Sequence, residues 1–389
     1  MFRVMFVAGE SSGDLHGGGV VRELKSHFPD AGLFGIGGDA MQAAGMELLH
    51  HTREMSVLGF AEVIRHLPFF RRVLRECEDL LKSRKPNVLV LIDYPGFNLK
   101  LARAARASGV PVVYYISPQV WAWHASRVKQ MKECVDKMLV IFPFELEIYR
   151  NAGIPVEFVG HPLLEQFISA HDSPEAILAA KRQFLNRNGL DSAKPLVALF
   201  PGSRKQEIER ILPTFVSAVA VMRKTAAVQA VVGAAPSLTR ESIQKHLNAA
   251  GISLVENQTP ALQRFADVAI TKSGTSTLEL AIAGTPMVVA YKTSALSYAI
   301  GKSMAQIDMI ALPNIVAGKK IVPEFIQSDA TPENISHAAL ALLNDAELHT
   351  QTKSELAAVR ASLGTPGASE KVAEVVGKYS QTGKMAVAK

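Results

Sequence analysis

The sequence predicts an α/β protein of two halves, each built around a parallel sheet. Three observations carry that reading. Short apolar runs recur at residues 3–8, 87–92, 112–116, 137–141, 196–200, 229–233, 252–255, 266–270 and 287–291. Near-continuous apolar character without alternation marks strands buried on both faces, as in parallel sheets. Stretches with helical apolar spacing separate many of these runs. Between Glu165 and Pro195 the texture changes to charged, alanine-rich helix without a strand, which places a linker there and opens a second half at residues 196–200. At 389 residues the chain is long enough for two domains.

Composition narrows the class. Hydrophobic content of 48% with 20% charged residues describes a soluble protein with substantial cores. Two cysteines, Cys77 and Cys134, without a pairing pattern argue for a reducing compartment and against a metal framework. No run reaches the roughly 18 apolar residues of a membrane span. The start, MFRVMFVAGE, lacks the features of a signal peptide and reads as the first strand. A net charge of +6 permits an anionic partner: nucleic acid, anionic lipid or a phosphorylated substrate. The basic residues are scattered and no nucleic-acid motif is present, so no nucleic-acid partner is expected.

After the first strand, residues 9–19 (GESSGDLHGGG) read as a glycine- and serine-rich turn leading into a helix over 20–27. Open α/β sheets place ligands at such turns, which makes Ser12, Gly13 and Asp14 candidates for substrate contact. Residues 35–40 (GIGGDA) fit G-x-G-x-x-A, but no acidic residue closes a second strand at the distance a dinucleotide fold needs, so they read as a close-packed turn. Further on, Phe60, Val63, Ile64 and Leu67 repeat at helical spacing. Pro68 fits the first turn of a second helix that carries Phe70, Val73, Leu74, Cys77 and Leu81. Arg65, His66, Arg71, Arg72 and Arg75 are interleaved. Two readings stay open: core helices with a solvated basic face, or an apolar and basic patch from Phe60 to Leu74 resting on an anionic bilayer. Phe69 and Phe70, side by side, cannot both face one core stripe, which favours the second.

The strand at 87–92 ends in Asp93-Tyr94-Pro95-Gly96-Phe97-Asn98, with a helix expected from Leu99. A carboxylate at the carboxyl end of a central strand faces the ligand crevice, so Asp93 is the candidate catalytic group; the alternative is a helix-capping aspartate. After the strand at 112–116, the loop Ser117-Pro118-Gln119-Val120-Trp121-Ala122-Trp123-His124 holds both tryptophans. Trp121 and Trp123 suit either a sugar platform or a hydrophobic plug. Pro143-Phe144-Glu145 reads as the cap of the next helix. His16, His124 and His161 all fall in predicted crevice loops, with no role assigned.

In the second half, Pro201-Gly202-Ser203-Arg204 joins a strand to a helix, a start suited to an anion. Arg204 adds a planar fork that fits a pyrophosphate; a solvated basic turn is the alternative. The stretch KSGTSTLELAIAGTP, residues 272–286, opens on small and hydroxyl residues, becomes helical, and stops at a C-cap glycine followed by proline. Ser273, Gly274 and Thr275 thus form a second candidate phosphate turn, unless this is only an ordinary capped helix. Glu279, one turn in, has the wrong sign for phosphate and suits a ribose diol. Asn314 in Leu312-Pro313-Asn314, and Glu324, are weaker substrate candidates. The expected domains are 1–165, 166–345 and a helical segment 346–389 that packs back on the first domain or on a partner chain, as in a homodimer.

Two α/β halves facing across a central crevice, with phosphate turns in the second, describe a GT-B nucleotide-sugar architecture. AGESSGDLHGG, IDYPGFNLKLA, YISPQVWAWHASRVK, FPFE, FVGHPL, LFPGSRKQEI, SGTSTLELAIAGTPMVV and LPNIVAG together resemble the lipid-A-disaccharide synthase family, from about residue 4 to residue 330. SGT-x-x-LE with a following G-x-P is shared with other GT-B enzymes, whereas SPQVWAW and AGE-x-SGD are far more specific. The resemblance implies an inverting transfer from UDP-2,3-diacylglucosamine to 2,3-diacylglucosamine 1-phosphate. It gives a β(1→6) disaccharide 1-phosphate and UDP, at the cytoplasmic face of the inner membrane. It implies Asp93 as general base, Arg204 as pyrophosphate ligand, Ser273, Gly274 and Thr275 as phosphate loop, and Glu279 as ribose contact. The chain departs at Gly96, where relatives often carry a second acid; a mechanism needing two carboxylates there is put in doubt. No Asp-x-Asp motif is present, so no metal and no cofactor are expected, and the leaving group should be stabilised by cations and N–H dipoles. The rival with the same architecture is a UDP-sugar 2-epimerase. A non-catalytic nucleotide-sugar module would not need Asp93, and a Rossmann oxidoreductase would need the missing fingerprint.

Overall fold

The apolar run before Asp93 forms a strand, Val88–Ile92, with every residue buried. The structure, a computed structural model, describes residues 2–55, 60–121, 126–167, 173–235, 238–247, 250–294, 298 and 308–382. The chain divides into two units, Met1–Pro162 with Leu363–Lys389, and Leu163–Ser362.

Among the described residues, the first unit has seven parallel strands: β1 (Arg3–Ala8), β2 (Gly32–Gly37), β3 (Glu47–His51), β4 (Val88–Ile92), β5 (Val112–Tyr115), β6 (Lys137–Val140) and β7 (Val156–Phe158). Their order is β3-β2-β1-β4-β5-β6-β7. The order reverses between β1 and β4, and ligands bind at the carboxyl ends of strands at such a switch. Ala8 pairs with Ile92 there, so Glu10 and Asp93 follow the two strands that flank it. The second unit, again among described residues, has six parallel strands: β8 (Leu196–Phe200), β9 (Gln229–Ala234), β10 (Ser253–Glu256), β11 (Val268–Lys272), β12 (Met287–Tyr291) and β13 (Glu324–Ile326), ordered β10-β9-β8-β11-β12-β13. Its switch lies between β8 and β11, where Phe200 pairs with Thr271. The turns after those two strands are the two candidate anion turns.

Several elements differ from the sequence reading. The helix after β1 runs over Ser11–His27, so most of the expected turn is helix. Its glycines serve close packing instead of turn geometry. A Cβ at Gly17 would lie 2.8 Å from the Met41 sulfur and 2.9 Å from Ile92 Cδ1, and one at Gly18 would lie 3.0 Å from the Ala40 backbone. The helix after Asp93 starts at Pro95, not Leu99. Pro68 does not separate two helices: one helix spans Phe60–Ser83 with Pro68 inside it, since Val73, Cys77 and Leu81 are buried in the core and hold its second part. Phe69 and Phe70, expected not to face one core stripe together, both pack half-buried against that core, edge to face with each other at 5.7 Å. The helix Ala346–Ser362 belongs to the second unit, where it packs on the helices Thr275–Ala283 and Leu312–Ala317. The return to the first unit thus begins at Leu363, later than residue 346, and the helix Ala368–Thr382 packs there on Ser11–His27.

Candidate functional site

In the first unit the site is built on strained backbone. Asp93 and Tyr94 adopt φ of +46° and +48°, and Ile116, just past β5, sits at +60°. Left-handed non-glycine residues cost on the order of 1–3 kcal/mol each and gather at functional sites. The turn is held from several sides. The Asp93 N–H donates to the Tyr115 carbonyl at 3.1 Å, and the Asp93 carbonyl accepts from the Tyr114 hydroxyl at 2.5 Å and from Asn98 Nδ2 at 2.7 Å. The Tyr94 hydroxyl donates to the Met55 carbonyl at 3.0 Å. The Tyr94 ring occupies the space a Cβ at Gly9 would need. With its backbone so fixed, the Asp93 carboxyl is left for other work. Burial, and then the Glu10 carboxylate, push its pKa up to about 6, against the pull of the Tyr94 N–H and Arg127. That places a weakly basic carboxylate near neutral pH, where a general base works best. Gly96 has nothing within 4 Å of where its Cβ would stand, so the missing second acid is not a steric necessity. His16 and His161 are kept neutral: burial lowers them to about 4 and about 3, with His16 also disfavouring charge on His161.

Among the other first-unit candidates, Asp14, Gly13 and Trp121 make contacts within the fold. Asp14 is buried and accepts from the N–H groups of Gly38, Ala40 and Met41 at 2.7–3.0 Å, tying the start of the helix Asp39–Ala43 to Ser11–His27. Gly13 lets the helix approach β1 and β4, with Ala8 Cβ 3.3 Å from where its own would be. Ser12 is exposed in the first turn. Trp121 stands edge-on to Phe144 at 5.5 Å and donates from Nε1 to Glu145 at 3.3 Å. Trp123 and His124 lie outside the described residues. Glu145, expected from the sequence as part of a helix cap, begins the helix Glu145–Asn151. It is 1% exposed and accepts from the Ser117 hydroxyl at 2.6 Å and the Phe142 N–H at 3.1 Å as well as from Trp121. Burial still pushes it up to about 7 against those donors. The signal in the sequence is FPFE, an acid set among aromatic residues shortly after a strand; in the structure the Phe142 and Phe144 rings stack at 5.4 Å.

In the second unit a cavity of about 650 Å³ opens at the carboxyl ends of β8, β9 and β11, and Arg204, Ser273, Gly274, Thr275 and Glu279 all line it. The volume suits a nucleotide-sized ligand. A cavity of about 500 Å³ touches Pro195, Leu196 and Asp267 at the opposite, amino ends of the strands, which open sheets do not use for ligands. Gly202, at φ +112°, must be glycine because a Cβ would strike Glu207 and crowd Lys272. Glu207 organises the turn: Oε2 accepts from the N–H groups of Ser203 and Arg204 at 3.1 and 3.3 Å. Its Oε1 takes Lys272 Nζ at 2.9 Å. Arg204 itself stays 60% exposed, 3.9 Å from Glu207.

The helix Thr275–Ala283 starts at Gly274 without a side-chain cap, so its positive end faces the cavity. The Ser273 hydroxyl donates to the Ile310 carbonyl at 2.6 Å; that residue shapes the turn with its side chain. Glu279 accepts from Gln263 Nε2 at 2.5 Å, and burial raises its pKa. Asn314 is fully buried. Its Nδ2 donates to the Val322 carbonyl and to Glu324, and its Oδ1 accepts from Ile321 and Val322. Glu324 also accepts from the Ile310 and Ala311 N–H groups. The two form a latch that holds the Ile310 carbonyl over the Ser273 turn. Lys272, which the sequence reading does not single out, is a charged residue at the carboxyl end of a central strand, the same kind of position that marks Asp93.

The chain matches the model of the lipid-A-disaccharide synthetase family over residues 4–375. It is 43% identical over 377 residues to a lipid-A-disaccharide synthase from Geobacter sulfurreducens, covering 96% of each chain. It is 39% identical to the one from Myxococcus xanthus, again over 96% of each. Among solved structures it resembles UDP-GlcNAc 2-epimerase from Neisseria meningitidis bound to UDP-GlcNAc (TM-score 0.64, 15% identity, 97% of this chain and 100% of the other). It also resembles the glycotransferase of kitacinnamycin (TM-score 0.64, 17% identity, 97% and 98%). These two likenesses are of fold.

Proposed function

The chain belongs to the lipid-A-disaccharide synthetase family and is a glycosyltransferase of the GT-B fold, and from that premise we propose that it joins UDP-2,3-diacylglucosamine to 2,3-diacylglucosamine 1-phosphate with inversion. The observation that carries this reading is the 650 Å³ cavity, which brings an uncapped helix start, Arg204 and the half-buried carboxylate of Glu279 to one place. Those groups complement a diphosphate and a ribose diol. In the reaction the Asp93 carboxylate takes the proton of the acceptor 6-hydroxyl. The oxygen forms its bond to C1 of the donor sugar, and the C1–oxygen bond breaks with its electron pair leaving on UDP. Arg204 and the helix Thr275–Ala283 receive the charge that grows on the departing diphosphate. The test is a product assay. Purified protein with both substrates in detergent should give a tetraacyl disaccharide 1-phosphate and UDP by mass spectrometry. A UDP-linked or free epimer would instead favour the epimerase reading.

The acylated substrates require access to a membrane, and no helix among the described residues is long and apolar enough to cross one. Peripheral contact at the cytoplasmic face of the inner membrane is therefore part of the proposal. Among residues 66–74 the exposed ones are His66, Leu67, Pro68, Arg71 and Arg72, with Arg75 one residue beyond. Since Phe69 and Phe70 support the core, the surface is best probed without touching them. Leu67→Asp with Arg71→Glu and Arg72→Glu should weaken binding to vesicles containing phosphatidylglycerol. Each lost basic residue should cost about 1 kcal/mol. Unchanged sedimentation with vesicles would refute the contact.

A further inference from the structure

We infer that Lys272 is a second cationic ligand of the donor's diphosphate, held in place by Glu207 and offsetting that carboxylate. The inference rests on the nucleotide-sugar reading of the cavity and extends it to a residue outside the phosphate turns.

Lys272 is the last residue of β11, directly before the turn at Ser273, and it lines the same cavity as Arg204, Gly274 and Thr275. Its ammonium is placed, not loose. Nζ lies 2.9 Å from Glu207 Oε1, and both side chains are only 19% exposed. The Tyr291 ring lies on another side, 5.6 Å from Nζ. The stem passes Gly202 so closely that a Cβ there would be 3.1 Å from Lys272 Cδ. A half-buried ion pair adds little net stability, because desolvation offsets the attraction. Its retention therefore calls for another reason.

Charge supplies one. Arg204 and Lys272 carry positive charge into the cavity lining, and Glu207 and Glu279 carry negative charge. Glu207 cannot be dispensed with, since its other oxygen accepts the Ser203 and Arg204 N–H groups that shape the turn. Without Lys272 the lining would hold one cation against two carboxylates and would repel a diphosphate. An ammonium has three N–H donors. One is used on Glu207, which leaves donors to turn toward phosphate oxygens as they arrive. As C1–oxygen bond breakage loads charge onto the diphosphate, those bonds strengthen, so Lys272 should affect turnover more than ground-state binding.

The experiment compares wild type, Lys272→Met and Lys272→Arg by calorimetry with UDP and with uridine, and by steady-state turnover. The expected result for Lys272→Met is UDP affinity lower by on the order of tenfold, uridine affinity unchanged and kcat lower by about 10²-fold. Lys272→Arg should keep the preference for UDP over uridine. If Lys272→Met binds UDP as wild type does and turns over at the same rate, the inference is overturned. An equal loss for UDP and uridine overturns it as well, because Lys272 would then merely shape the cavity. Failure of the wild type to bind UDP would bring down the nucleotide reading itself, before any variant is compared.

Discussion

Asp93→Ala is expected to lower kcat for disaccharide formation by at least about 10²–10⁴-fold, the contribution typical of a general base, while leaving UDP affinity unchanged. The second half of that expectation follows from the separation of roles: the groups proposed for the diphosphate and the ribose all line a cavity of the second unit. The pH dependence is a further check. With a pKa pushed up to about 6, Asp93 is charged above that pH and protonated below it. The wild-type kcat/KM should therefore fall tenfold per pH unit on the acid side of about 6. Stability runs the other way. An acid whose pKa rises on folding, here from 3.8 to about 6, destabilises the fold as pH climbs through that window and does so fully above it. Two pKa units correspond to about 3 kcal/mol, reduced here because the carboxyl is still partly open to solvent. Asp93→Asn should thus be both inactive and more stable than wild type at pH 8, with equal stability near pH 3. Full activity in Asp93→Asn would remove Asp93 from the chemistry. Reduced stability at pH 8 would mean that its carboxylate is held by partners in the fold.

That trade is visible in the backbone as well. Asp93, Tyr94 and Ile116 hold left-handed conformations just past the neighbouring strands β4 and β5. A fold selected for stability alone would have glycine at such positions. The hydrogen bonds to the Asp93 carbonyl, from Tyr114 and Asn98, secure the strained turn from beneath.

What could be read from the sequence followed a physical division. Strands buried on both faces, such as Val88–Ile92 and Leu196–Phe200, are apolar throughout and stand out in any window. The edge strands β3 and β13, Glu47–His51 and Glu324–Ile326, are half-exposed and carry charge or histidine, so they have no such signature. Glycine misled for a similar reason. Locally it disfavours helix, but in Ser11–His27 its value is the space it frees against Met41 and Ala40, and that partner is distant in sequence. The site shows the same split. Asp93, Arg204 and the Ser273 turn were legible because each follows a strand or starts a helix, a relation contained in a few consecutive residues. Glu145 and Lys272, and Glu207 in its pairing with Lys272, work through partners many residues away, and a carboxylate's burial cannot be read from its neighbours. Asn314 and Glu324 were legible as unusual residues, but their role as a latch on Ile310 depends on a loop closing over the helix Thr275–Ala283.

Arg204→Ala should lower kcat/KM by about 10²–10³-fold, the usual loss when one charge-stabilising donor is removed from a transition state, with the unfolding midpoint almost unmoved. The two parts must be tested together, because either alone has a trivial explanation. Arg204 sits at the N-cap of the helix Lys205–Met222, and a substitution that unravelled this helix would also abolish activity. The geometry argues against that route. The side chain is 60% exposed and its ion pair with Glu207 is long, 3.9 Å; exposed pairs of this kind contribute about 0–1 kcal/mol. The helix start is secured by Glu207, which bonds to the backbone N–H of residue 204 whatever its side chain. The Arg204 guanidinium therefore does little for folding and is free to meet an anion. Arg204→Lys refines the point. Lysine keeps the charge and loses the planar pair of donors, so recovery in that variant should be partial if Arg204 binds a diphosphate through two oxygens, and nearly complete if only its charge matters. A fall in thermal stability of Arg204→Ala that matched its loss of activity would assign the residue to the fold and leave the departing diphosphate to Lys272 and the helix start alone.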